Sequence, residues 1–348
     1  MGWADADICE ADTVVIGRKG TINNPIYVDR PFWNVDTAFG LAAKREILLP
    51  KYLYYFCCYF DFESLNTTVT IPSLTKANLL NIEINVPSMD EQMQIVNKLD
   101  QVAELISLRK KQISKLDQLV KSRFIELFGE PIANQKKLPV KPLKEISTLI
   151  TNGNTPKGGS ENYVEDGIIF LRSQNVWRNN IVLDDVAYID DETHESMKKS
   201  SVHHKDILIT KTGRINTENS SLGRAALYLG ADDSANINGH VYLVRLDDTV
   251  VPEYVVTILT GEAYRRYIRK VCVGGIDKRQ INLDQVEEFP IILPPKEQQE
   301  KFATFVNQID KSKFDNSTGH RQTGMLPNCL LIVLSCVCYN KQRGKMRR

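Results

Sequence analysis

Three short stretches of the chain concentrate side chains that can hydrogen-bond to the edge of a nucleic-acid base or neutralise a phosphate. The first holds Arg172, Ser173, Gln174, Asn175, Trp177 and Arg178, with Lys157 upstream of it. The second holds Lys211, Thr212, Arg214 and Asn216, and the third Gly274, Gly275, Lys278, Arg279 and Gln280. Guanidinium and amide groups match the donor and acceptor pairs that bases display in the major groove, whereas lysine and arginine charges hold a protein on the phosphates whatever the sequence. The Gly-Gly pair lets backbone approach a phosphate closely, leaving Lys278 and Arg279 to neutralise one or two charges. Any one of these residues alone reads as ordinary surface; three such loops in one region carry the reading. Nearer the amino terminus only Arg18, Lys19, Asn23 and the stretch Asn66 to Thr68 are comparable.

Covalent and metal chemistry have weaker candidates. Asn24-Pro25-Ile26-Tyr27 is similar to the Asn-Pro-Pro-Tyr loop with which adenine methyltransferases hold a flipped base, but it lacks the second proline, and no glycine-rich cofactor loop follows a strand. Gly17-Arg18-Lys19-Gly20-Thr21 lacks the Walker A spacing and reads as a charged turn. His203 and His204 are adjacent, and neighbouring strand residues point to opposite faces, so they do not easily share an ion. Asp184-Asp185 and Asp190-Asp191-Glu192 flank a short strand without a lysine at nuclease spacing and read as solvated loops. The seven cysteines form no C-x-x-C pair and no zinc-spaced set with histidine, as expected of reduced thiols. We expect neither a metal nor a cofactor.

The 348 residues contain 44 Lys and Arg against 43 Asp and Glu, so any electrostatic site must be local rather than global. A 42% hydrophobic share is ample for packed cores, and the length suits two domains. The amino terminus lacks a basic start followed by an apolar stretch, and the apolar run CLLIVLSCVCY from Cys329 is about half the ~20 residues of a membrane helix. These features predict a soluble cytoplasmic protein with no membrane partner.

The elements that would position the loops come twice. VPSMDEQMQIVNKL from Val86 and LPPKEQQEKFATFV from Leu293 both set a proline after an apolar run, then a Gln, then a helical pattern. At the same offset of 207 residues Leu74 matches Ile281, Ile84 matches Ile291, Pro87 matches Pro294, Gln92 matches Gln299 and Val96 matches Ala303. Upstream, with a smaller offset, the stretch from Asp12 matches that from Asp206. Strands are expected at 13–16, 26–28, 39–42 and 82–86 in the first copy, and at 168–172, 207–210, 225–229, 241–246 and 289–293 in the second. Helices are expected at 50–60 and 252–269. Between the copies, Ile95, Leu99, Val102, Ile106, Ile113, Leu116 and Val120 alternate four and three apart over about 90–128, a coiled-coil seam broken by Arg109 and Arg123. Gly129-Glu-Pro131 stops this helix. A second helix begins at Pro295 with Phe302, Val306 and Ile309 on one face, and its pattern fails after Lys313.

The ordered set Leu143-Lys-Glu-Ile, Gly153-Asn-Thr-Pro156, GIIFLRSQNV from Gly167, KDILITKTG from Lys205 and INLDQVEEFPIILPPKEQQ from Ile281 resembles the specificity (S) subunit of type I restriction-modification enzymes, over about residues 12–313. The resemblance implies an α+β pseudo-repeat: two target recognition domains alternating with long coiled-coil-like spacer helices that pack antiparallel. It divides the chain into a partial first recognition domain (1–87), a spacer helix (88–130), a linker (131–140), a second recognition domain (141–293), a shortened second helix (294–313) and an atypical tail (314–348), expected to be poorly ordered. It implies a noncatalytic subunit that binds double-stranded DNA at a bipartite target, with two modification (methyltransferase) subunits on the helices and a restriction (translocase and endonuclease) subunit joining them. The first copy departs from the family, because nothing in it corresponds to residues 143–205. Two other readings compete: a coiled-coil assembly protein without DNA specificity, and an adenine DNA methyltransferase using Asn24 to Tyr27.

Overall fold

The computed structural model describes residues 8–66, 68, 71–217 and 219–315. The expected tail lies outside these residues from 316 onward. The chain divides into two compact units, the first built up to Ser114 and the second from Lys115–Lys313.

The first unit contains strands β1 (Thr13–Gly17), β2 (Ile26–Val28) and β3 (Ala38–Ala42), then helices α1 (Pro50–Tyr59), α2 (Lys76–Leu80) and the 40-residue α3 (Met89–Phe128), whose last part belongs to the second unit. The strands form an antiparallel sheet in the order β2-β1-β3. Val14, Ile16, Ile22, Leu53, Cys57, Phe62 and Leu74 make its core. Burial pushes the Cys57 thiol up to about 12, as suits an inert core residue.

The second unit opens with β4 (Val140–Pro142), β5 (Ser147–Asn152), β6 (Ile168–Leu171), β7 (Val176–Trp177), β8 (Asn180–Ile181), β9 (Ala187–Ile189) and α4 (Asp191–Ser196). It continues through β10 (Ser201–Val202), β11 (Ile207–Thr210), β12 (Thr212–Arg214), β13 (Ala225–Leu227), β14 (Ala235–Ile237) and β15 (Val241–Leu246). Helices α5 (Pro252–Thr260) and α6 (Glu262–Val271) follow, then β16 (Val273–Gly274), β17 (Lys278–Gln280), α7 (Leu283–Glu287), β18 (Pro290–Ile292) and α8 (Lys296–Asp315). The central antiparallel sheet runs β13-β11-β15-β5, beside a second sheet, β10-β14-β6-β9. Period-two alternation sends Ile207, Ile209, Tyr242 and Val244 into the main core and Leu208, Val241 and Leu243 into the core against the second sheet. A strand buried on both faces reads as an unbroken apolar run, and β11 is ILIT with all four residues buried.

Strand registers establish the repeat. Thr13 pairs with Val28 and Ala42, as Ile207 pairs with Leu227 and Val244. The twin glutamines act alike in the two units. Buried Gln92 accepts from Leu49 N–H at 2.8 Å and donates to the Pro87 carbonyl at 2.9 Å; buried Gln299 accepts from Val251 N–H at 3.1 Å and donates to Pro294 at 2.9 Å. Each thus caps the start of a helix that opens with proline and ties it to the hand-off into the next. The tyrosine two residues after each opening proline donates onward, Tyr52 to Asn85 O and Tyr254 to Ile292 O.

Two expectations need correction. The predicted 82–86 strand is absent, although its counterpart, within 289–293, is β18. The reason is pairing: β18 bonds to β4, which precedes β11 and has no counterpart among the first unit's described residues. The predicted helix over 252–269 is two helices divided at Gly261. In keeping with the first copy's lack of a counterpart of residues 143–205, β3 has no partner matching β5 along its outer edge among the described residues. No helix among those residues is long and apolar enough to cross a membrane.

Candidate nucleic-acid interface

The polar loops leave one common edge of the second unit. Strands β5, β6, β11 and β14 end there and β15 begins there, cross-linked by Gly153 N–H to Val241 O at 3.0 Å, Asn238 N–H to Leu171 O at 3.0 Å and Lys211 N–H to His240 O at 2.9 Å. A side chain on Gly153 would meet the Ile237 carbonyl oxygen at 2.1 Å, so only glycine lets these strand ends draw together. The edge gathers Lys157, the Arg172–Arg178 loop, the Lys211–Asn216 segment and, unforeseen from sequence, Asn154, Asn238 and exposed His240.

Within the first loop the side chains divide by role. Asn175 is 2% exposed; it accepts from Arg172 N–H and donates to Val182 O and Asp185 O. It therefore positions the loop and cannot itself reach a ligand, which corrects its place among the contact residues. Arg172 donates to Asp185 at 3.1 Å and lies over the Tyr163 ring, with its buried Nε lacking a partner. Gln174 also donates to Asp185, at 2.5 Å. One carboxylate thus presents both candidate readers as a preset array. Replacing Asn175 with Ala is expected to cost about 1–3 kcal/mol, because the part-buried Val182 carbonyl and Arg172 N–H lose their Asn175 partner and the Asp185 carbonyl is left with Arg172 alone; urea unfolding of the full chain measures this.

The second and third loops form one antiparallel ribbon, β12-β17-β16, with Thr212 opposite Gln280, Gly213 opposite Arg279 and Arg214 opposite Lys278. Gly274 sits at φ +124°, the left-handed region that admits the turn. Arg279 is turned inward, donating to Gly275 O at 2.9 Å and Cys272 O at 3.4 Å, so it braces the ribbon. Arg214 pairs with Asp277 at 3.2 Å. Lys278 is exposed, with no side-chain partner among the described residues. Lys211 lies over the Tyr242 ring, and burial holds that phenol up at about 12.

The first unit has a reduced version. Lys19 bridges to Ser73 as Thr212 bridges to Gln280, placing Arg18 and Lys19 in the position of the Lys211–Thr212 ribbon. Asn23 is engaged internally, accepting from Phe62 N–H at 2.7 Å and donating to Asp61. Tyr27, the aromatic of the methyltransferase-like motif, lies in β2 with its hydroxyl donating to Asp12 at 2.7 Å, so it is not presented to a flipped base. Among the described residues no His, Cys, Asp and Glu group could hold a metal; His203 faces Asp233, and the His204 ring faces Gly230 O.

The family model for the type I restriction modification DNA specificity domain matches residues 3–118 and 135–323. The chain belongs to that family. It is 24% identical over 328 residues to the MjaIX type I specificity subunit of Methanocaldococcus jannaschii, covering 86% of this chain and 70% of that one. It is 21% identical over 308 residues to the StySPI specificity subunit of Salmonella potsdam, covering 84% and 65%. Its fold is similar to the crystal structure of a type I restriction-modification S subunit from M. genitalium, with a TM-score of 0.52, 16% identity, and 96% of this chain and 85% of that one covered.

The specificity-family helices distribute the expected seam over three surroundings. Ile95 and Leu99 are buried against Tyr52 and Tyr55 of α1, inside the first unit, which corrects their assignment to a partner helix. In the second unit Val120, Phe124 and Phe128 of α3 join Phe302 and Val306 of α8 in one core, with Phe124 and Phe302 rings 5.5 Å apart and Lys313 2.8 Å from Asp117. Pairing 302 with 124 and 313 with 117 makes the two helices antiparallel. Between these ends Val102 is exposed, and Ile106, Ile113, Leu116 and Ile309 are half-buried. Leu105, Leu108 and Leu119, outside the expected seam, are exposed.

Proposed function

We propose that this chain is a noncatalytic recognition subunit that reads one half of a bipartite duplex DNA target with the convergent edge of its second unit. Two modification subunits dock on the helices, and a restriction subunit acts where the assembly binds, in the cytoplasm. The observation that carries this reading is the gathering of the three basic, amide-rich loops on one edge, two of them fused into a single ribbon. Arg172 and Gln174, preset by Asp185, are placed to read base edges; Lys278, Lys211 and Lys157 supply phosphate contacts. The first unit, with the Arg18-Lys19 turn and no counterpart of β5 or β6 among its described residues, contributes the weaker half.

The test is duplex binding by the chain with its modification subunit across a salt series. Affinity should fall linearly on a log–log plot, with a slope of about −0.9 per phosphate contact, and should prefer one sequence. A flat salt response, or no preference among sequences, would turn the reading toward an assembly protein. Lys278→Ala alone should lower the slope by about 1 for every duplex alike while the ribbon stays folded. Arg279→Ala is a poorer probe because it removes the brace as well as the charge.

A further inference from the structure

The ribbon of β12, β17 and β16 ends in the turn Gly275-Ile276-Asp277, which carries an apolar side chain where turns ordinarily carry Gly, Asn or Asp. Ile276 is 89% exposed, more than any other large apolar side chain among the described residues. A single exposed apolar residue is ordinary surface. What distinguishes Ile276 is the framework that holds it out.

Both of its neighbours are tied down from different sides. Arg279 Nε donates to the Gly275 carbonyl at 2.9 Å, fixing the residue before it to β17. Ile215 N–H donates to the Asp277 carbonyl at 3.2 Å, and the Asp277 carboxylate pairs with Arg214 Nε at 3.2 Å, fixing the residue after it to β12 and the segment beyond. Helix α6 braces that segment in turn, Arg269 donating to the Ile215 carbonyl at 2.9 Å. The side chain adds its own stiffness: branching at Cβ restricts χ1, so little rotamer freedom is lost when it makes a contact. Ile276 is thus a rigid apolar point on a braced turn.

The ribbon also aims it. Ile281 N–H donates to the Lys211 carbonyl at 3.0 Å, which joins the ribbon's base to the edge where the polar loops converge. From there the register runs outward, Thr212 opposite Gln280 and then Arg214 opposite Lys278, and the turn lies beyond. Strands about 4.8 Å apart make a ribbon that fits the DNA major groove, about 12 Å wide. The hydrogen-bonding groups on the floor of that groove need polar readers, and an isoleucine has nothing to offer them. One feature of the floor is apolar: the 5-methyl group of thymine.

We propose that Ile276 reads the 5-methyl group of a thymine in the target half-site, the turn carrying it to the groove floor while Lys278 holds a phosphate at the rim. The inference rests on the DNA-recognition reading and adds to it the identity of one base. It separates two adjacent parts of the ribbon by effect: Lys278 contributes to binding of every duplex alike, and Ile276 to the choice among them.

The test uses the full chain with its modification subunit and the duplex that the unaltered chain prefers, with uracil replacing thymine at one position at a time. Uracil keeps the base pair and removes only the methyl group. At one position it should weaken binding by the unaltered chain roughly fourfold, the worth of one buried methyl, and Ile276→Ala should bind the thymine and uracil duplexes equally there. The melting temperature of Ile276→Ala should match that of the unaltered chain; an early melt would show that the side chain is covered, and the proposal would fall. Uracil without effect at every position would overturn it, as would an effect that persists undiminished in Ile276→Ala, which would assign the methyl group to another residue. A third contrary result is equal weakening of both duplexes by Ile276→Ala together with a bright 2-aminopurine beside the contact in the unaltered complex, because Ile276 would then be a wedge between unstacked bases. Salt-dependent, sequence-selective binding with no uracil effect sinks the methyl contact and leaves the recognition reading standing. Absence of salt-dependent, selective binding in the unaltered chain sinks both.

Discussion

Replacing Asp206 by Ala is expected to remove about 3 kcal/mol or more of the second unit's stability. The carboxylate is 2% exposed and holds Arg245 through two parallel bonds, Nε to Oδ1 at 2.9 Å and Nη2 to Oδ2 at 2.8 Å, while also accepting from His203 N–H at 2.7 Å. Deleting it strands a largely buried guanidinium and the His203 N–H in the turn that leads from β10 into β11, an inner strand of the sheet, and removal of one partner of such a pair ordinarily costs about 3–5 kcal/mol. Its counterpart in the first unit, Asp12, pairs with Arg45 at 3.1 Å, but there both side chains are substantially solvated, so Asp12→Ala should cost about 1 kcal/mol or less from the pair. Urea unfolding followed by circular dichroism distinguishes the two. Equal small losses would mean that the Asp206 pair does not hold β11. Asp206→Ala combined with Arg245→Leu should recover part of the loss, because no unpaired charge then remains in the sheet.

The contrast between Asp206 and Asp12 shows what could be read from sequence. Matching the two Asp-led strands located β1 and β11, and the paired registers agree residue for residue. The twin Gln motif marked the hand-off to each helix because the glutamine performs a local task, capping one helix start at the beginning of another. Less was legible where a structure depends on a distant partner. The 82–86 segment has the apolar spelling of its counterpart β18 but no strand to bond with among the described residues, and spelling alone does not supply one. Very short strands such as β7, β8 and β16 leave no periodicity to detect. The candidate loops were visible as composition, yet composition does not reveal which polar side chain is buried. Asn175 and Arg279 look like readers in sequence and serve as braces in the structure. Ile276 went unnoticed because its meaning comes from the braced turn that exposes it.

Heptad spacing misleads in the same way on α3, and the second large effect follows from it. Leu99 has the seam position but lies 3% exposed among Tyr52, Tyr55, Ile95 and Val96. Leu99→Asp would bury a charge without a partner and is expected to unfold the first unit, costing about 4 kcal/mol or more, so loss of assembly in that variant would say nothing about docking. Leu105 and Leu108, three apart and therefore on one face, are 65% and 52% exposed on a helix about 60 Å long. Changing both to Asp should leave the melting temperature within a degree or two while abolishing co-purification with the modification subunit. Exposed side chains hold up no core, whereas a docked apolar pair replaced by two charges loses its burial and adds a desolvation cost. If the double variant still captures the modification subunit at the original affinity, docking takes place elsewhere and the mid-helix leucines are ordinary surface. If instead it melts early, they are covered within the chain itself, and the exposed face of α3 is no longer available to a partner.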